Sequence, residues 1–145
     1  KKNYYRVAPA AGVNASIGDM RQWLLAQLGH NQTVFHDGML DRMHTGAIKT
    51  TRLQAHYRYH KELGDVYYGL GWRVFDYAGQ GGFVHHGGYV RGMRSEMVFN
   101  RGLQTGMVFL TNSEPSGMGE LVFDFVELHR ETHDYISRAL PSIGR

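Results

Sequence analysis

From Tyr68 onward the chain changes period. Tyr68, Leu70, Trp72 and Val74 fall on one side of an extended backbone and Gly69, Gly71, Arg73 and Phe75 on the other, which is the alternation of a strand. "YAGQGG" (77–82) then reads as a turn, Phe83 to His86 as a short strand, and Arg94 to Phe99 as another, closed by a turn at Asn100-Arg101-Gly102. "TGMVFLT", Thr105 to Thr111, is continuously apolar and is expected to lie covered on both faces.

The residues before this region have a different pattern. Ser16-Ile17-Gly18-Asp19 is a capping box, followed by Met20, Trp23, Leu24 and Leu28 at helical spacing and by Gly29 as a stop. A second short helix is expected over Asp37 to Met43, with Met39, Leu40 and Met43 on one face. "TGAIKTTRLQAHYRYHKELGD" (45–65) has no sustained period and reads as loop crossing a surface. After "NSEPSG", Met118, Leu121, Val122, Phe125 and Leu128 form a helical stripe that belongs to a core. The order is helix and loop over 1–66, strands over 67–112 and a terminal helix over 117–139. This is an α+β pattern: an antiparallel sheet with flanking helices.

Composition narrows the function classes. At 145 residues, with 42% hydrophobic and 20% charged residues, the chain is one globular domain. No apolar run approaches the roughly 18 residues of a membrane span. The start, "KKNYYRVAPAAGVN", has neither an apolar signal-peptide core nor an initiator methionine, so a mature or excised piece is expected. The absence of cysteine excludes disulfides and thiolate chemistry. A net charge of +3 and a pI near 9.3 would suit nucleic acid. The lysines and arginines are scattered, however, and no stacking motif accompanies them, so no nucleic-acid partner is expected.

Histidine and glycine carry the remaining signals. His56/His60 and His129/His133 have the i, i+4 spacing of two ligands on one helical face. "HRETH" nevertheless carries its glutamate in the middle and not directly after the first histidine, so these pairs read as solvated faces and no metal or cofactor is expected. "GQGG" lacks both a Walker lysine and a G-x-G-x-x-G that opens a helix, and no G-x-S-x-G nucleophile elbow occurs. "FVHHGGYVRGM" (83–93) sets two histidines against two glycines, with a third glycine four residues on. Glycine at that density lets a backbone approach another group closely.

Four segments in order, "PAAGVNASIGDMRQWLLAQLG", "YYGLGW", "HHGGYVRGM" and "TGMVFLTNS", resemble the C-terminal part of the serine β-lactamase, penicillin-binding protein and class C-type esterase superfamily, over roughly Ala8 to Ser113. The resemblance implies the late-strand part of a β-lactamase-like α/β domain. It also implies a small-molecule acyl substrate and a periplasmic or secreted location, with the cytoplasm left open. His86-Gly87-Gly88 falls where members carry Lys-Thr-Gly or His-x-Gly. By that resemblance His86 stands in the position of the family's lysine, and Gly87 and Gly88 leave room for the acyl group. The Tyr89 N–H becomes the second oxyanion donor, and Gly92 matches the glycine after the strand. His85, one residue earlier in a period-two strand, faces the other way and reads as structural.

The chain also departs from that family. Ser16, Ser95, Ser113, Ser116, Ser137 and Ser142 are followed three places on by Asp19, Val98, Ser116, Gly119, Leu140 and Arg145, so there is no Ser-x-x-Lys, and no Tyr-x-Asn occurs either. Both belong upstream in the family's order, and the chain reads as the C-terminal portion of a longer enzyme, inactive alone. Its expected partners are the missing N-terminal portion or, through the unpaired edge of "TGMVFLT", a second copy. The competing reading is a non-catalytic relative that binds an acyl or peptidoglycan-like ligand, or a partner protein.

Overall fold

The computed structural model describes residues 4–51, 57, 60–113 and 118–139. A short 3-10 turn over Tyr4–Val7 and a one-turn helix α1 (Ala8–Ala11) lead into α2 (Ile17–Gln27) and α3 (Asp37–Met43). The strands β1 (Ile48–Thr50), β2 (Leu63–Tyr68), β3 (Arg73–Tyr77), β4 (Gln80–Val90), β5 (Met93–Asn100) and β6 (Thr105–Thr111) follow, and α4 (Met118–Ala139) closes the order. The strands form one six-stranded sheet in the order β1-β2-β3-β4-β5-β6. Every neighbouring pair is antiparallel. The architecture is α+β.

Local chemistry sets the two front helices. The Ser16 hydroxyl accepts from the Asp19 N–H at 3.2 Å while Asp19 accepts from the Ser16 N–H at 2.8 Å, the reciprocal capping box expected at the start of α2. At α3 the cap is His36, whose Nδ1 accepts from the Met39 N–H at 3.2 Å. His44 ends α3, with its Nε2 2.8 Å from Gln27 Oε1 and its ring edge-on to Trp72 and Phe99. Burial among these rings pushes His44 down to about 4, helped by the nearby Arg101 charge.

Side-chain alternation divides the core between the two faces of the sheet. On one side Phe75, Phe83 and Val98 pack with Val122, Phe123 and Val126 of α4. On the other side Trp72, Val84, Met97 and Phe99 pack with Leu28, Met20 and Leu24 of the α2 region and with Met43 of α3. Each large apolar side chain buried in this way contributes about 1.5–3 kcal/mol.

The structure corrects several expectations. The 45–65 stretch contains all of β1 and the start of β2. β1 is a three-residue edge strand whose Ile48 is exposed, so it has no apolar face for a period to reveal. The run Tyr68–Phe75 is two strands and not one. Gly69 donates to the Trp72 carbonyl at 2.8 Å and Gly71 takes φ +85°, so the alternation ran through a tight turn. The turn in "YAGQGG" is confined to Ala78-Gly79, both at positive φ, and Gln80 already pairs with Tyr77. β4 does not stop at His86 but continues to Val90. "TGMVFLT" is half-buried and not covered on both faces, because β6 is the outermost strand. In α4 the buried positions are Val122, Phe123 and Val126, while Leu128 is exposed.

Candidate active site

β4 presents consecutive histidines to opposite faces. His85 turns toward α4 and is buried at 5% exposure, whereas His86 is exposed on the face that carries Trp72. His86 Nδ1 lies 2.6 Å from the carbonyl oxygen of Gly71. A carbonyl only accepts, so Nδ1 is the donor, and in the neutral ring this leaves the lone pair on Nε2. The β2–β3 turn thereby fixes the tilt of this imidazole and, in the neutral ring, its tautomer.

Behind it, His85 lies between two other buried polar groups. The Tyr57 hydroxyl is 2.7 Å from Nδ1 and Glu96 Oε2 is 2.7 Å from Nε2. With Glu96 as carboxylate, Nε2–H donates to it and Nδ1 accepts from the Tyr57 O–H. Burial pushes the His85 imidazole below its ordinary value and the Glu96 contact only partly opposes this, so the ring is neutral. Burial likewise pushes the Tyr57 hydroxyl up, which keeps it protonated.

The two glycines face these same two sides. Gly87 pairs with Glu96 and Gly88 with Ser95 across the β4–β5 ladder. A Cβ on Gly87 would stand 2.4 Å from Glu96 Oε2, and one on Gly88 would stand 2.4 Å from Ser95 Oγ. The space beside Gly87 is therefore occupied by the Glu96 carboxylate, and the Ser95 hydroxyl lies against Gly88 on the His86 face. Tyr89 pairs with Arg94, whose guanidinium sits 4.9 Å above its ring centroid. β3 pairs with β4 only as far as His85, so the section from His86 to Val90 has β5 as its paired neighbour.

Other features lie apart from this section. A cleft of about 350 Å³ lined by Tyr77, Phe83, Leu103, His129 and His133 sits beside the start of β4, on the α4 side. A second, of about 410 Å³, lies near His44, Gly82 and Arg101. The His129 and His133 rings are 6.5 Å apart. Among the described residues no three histidine, aspartate or glutamate side chains are grouped to hold a metal ion. His56 lies outside the described residues.

The model of the Beta-lactamase family matches residues 1–129. The chain belongs to the Beta-lactamase family. No curated protein and no solved structure matches it. Membership in the Beta-lactamase family carries a serine-hydrolase-like fold, which the antiparallel sheet with helices on both faces fits. The family match extends beyond the four segments that first carried the resemblance, reaching back to residue 1 and forward into α4.

Sequence reading placed His86, Gly87, Gly88 and Tyr89 together, and they are consecutive in one strand. It missed Tyr57, Gly71, Ser95 and Glu96. Glu96 had a signal: it is the one acidic residue in "MRSEMVFN", on the same side as Val98. Nothing in the sequence linked Tyr57 to His85.

Proposed function

We propose that this chain is the C-terminal portion of a serine hydrolase that forms an acyl-enzyme with an ester, a β-lactam or a D-alanyl peptide. In this reading a serine supplied from outside these 145 residues attacks the substrate carbonyl. The tetrahedral oxyanion is held by two backbone N–H groups, one of them that of Tyr89. Loss of the leaving group gives the acyl-enzyme, and water then releases the acid. His86 faces the pocket as a proton-transfer partner for the nucleophile's network or as a contact for a substrate carboxylate. Gly88 keeps the strand slim beside the acyl group. The outer edge of β6 receives the upstream part of the same protein.

The observation that carries this reading is the His86–Gly71 hydrogen bond. It holds an exposed imidazole in one orientation, with Nδ1 as the donor and Nε2 without a hydrogen bond among the described residues. A general base needs that free Nε2, in the neutral ring. The test uses the complete gene product. A fluorophosphonate or a penicillin should label one upstream serine, and His86→Ala should slow that acylation by about 10²-fold. An upstream region without Ser-x-x-Lys, together with failure to label, would favour the non-catalytic binding relative.

A further inference from the structure

Three polar side chains on the back of β4 have no part in the chemistry just described. Tyr57, His85 and Glu96 are exposed by only 8%, 5% and 7%, on the face packed by α4. Burying such groups costs several kcal/mol unless each finds a partner. Here each does, through two hydrogen bonds of 2.7 Å in series. An apolar trio of similar volume would hold the sheet and α4 together at least as well, so stability alone does not account for the polar chain.

Its place in the fold suggests another role. The chain grips β4 at His85, the last residue paired with β3, just where the strand goes on with β5 as its paired neighbour. Glu96 reaches His85 through the space left by the missing side chain of Gly87. Tyr57 comes from a third position in the chain, its ring edge-on against Phe75 and Phe123. The front of the same strand is tethered one residue later by the His86–Gly71 bond. The backbone from His85 to Gly87 is thus held from both faces. A hydrogen-bonded chain adds fixed directions that packing lacks.

We infer that Tyr57, His85 and Glu96 are positioning residues: their hydrogen-bonded chain fixes the β4 backbone from behind so that the His86 imidazole and the Tyr89 amide keep their aim. The inference rests on the assignment of His86 and Tyr89 under Proposed function. Arg73, paired with His85 from β3, is a cation beside this chain, and its charge opposes protonation of the His85 imidazole.

The deciding experiment compares Tyr57→Phe, Glu96→Ala and Glu96→Gln with His86→Ala in the complete protein, measuring the acylation rate constant, KM and Tm for each. Tyr57→Phe removes one oxygen and keeps the ring contacts, so it reports even if Glu96→Ala does not fold. Tyr57→Phe and Glu96→Ala should slow acylation by about tenfold, the scale of a sub-ångström misplacement, with KM little changed. Glu96→Gln, which can still accept from His85, should recover most of the rate. In the 145-residue chain the same two variants should speed amide exchange at Gly88 and Tyr89 and leave the β5–β6 ladder protected. A merely structural role predicts a lower Tm with the rate constant of the folded enzyme intact, and that result overturns the inference. Normal acylation in His86→Ala would instead bring down the assignment of His86, and the positioning role with it.

Discussion

Gly87 and Glu96 face each other across the β4–β5 ladder, and a side chain on Gly87 would overlap the carboxylate that holds His85. Glu96 could make room only by releasing the imidazole, leaving buried polar groups unpaired. Gly87→Ala should therefore cost about 1–3 kcal/mol in urea unfolding. In a Glu96→Ala background the same change should be close to neutral, because the obstacle is gone. Equal costs in both backgrounds would show that Gly87 is needed for another reason.

Acid should weaken the fold through its buried imidazoles. His44 and His85 both have folded values below the ordinary 6.5, His44 at about 4. The unfolded chain then binds protons first, so the contribution is complete above about pH 6.5 and is lost as pH falls toward 4. Urea midpoints at pH 7.5, 6 and 5 should decline in that order. His44→Gln should flatten the profile, and an unchanged slope would remove His44 from the account.

Phe99 has no exposed surface and stands edge-on to both Trp72 and His44. Phe99→Ala should cost about 3–5 kcal/mol, the usual penalty for a large cavity in a packed core. Leu128→Ala in α4, at an exposed position, should change the unfolding midpoint little. A comparable loss at Leu128 would mean that this part of α4 is covered in solution.

The chain by itself should turn over neither nitrocefin nor a p-nitrophenyl ester, and no serine in it should take up a penicillin or a fluorophosphonate. None of them has a lysine three residues on. Intact-mass spectrometry after incubation reads this directly. A stoichiometric adduct would place a nucleophile inside residues 1–145.

Much of this was legible where local chemistry decides the structure. The Ser16–Asp19 box, the α3 span and the opposite facing of His85 and His86 depend on spacing alone, and the structure agrees with each. β1 was not legible because a short exposed edge strand buries no stripe. The Gly69–Trp72 turn was hidden because its residues continued the alternation of the strands beside it. The Tyr57–His85–Glu96 chain joins positions from three separate segments, and no period or motif relates residues that only the folded sheet brings together.

The sequential order of the sheet bears on how the molecule acquires its shape. Each ladder joins a strand to the next one along the chain, so β2 through β6 can zip as successive hairpins closed by short turns, with little loop entropy lost at each step. The contact of α2 with β6, seen where Leu24 meets Gly106, spans most of the chain and must wait for the last hairpin. Folding rates should therefore respond strongly to substitutions in the Ala78-Gly79 and Arg91-Gly92 turns, and weakly to changes at Leu24, which should act on unfolding instead.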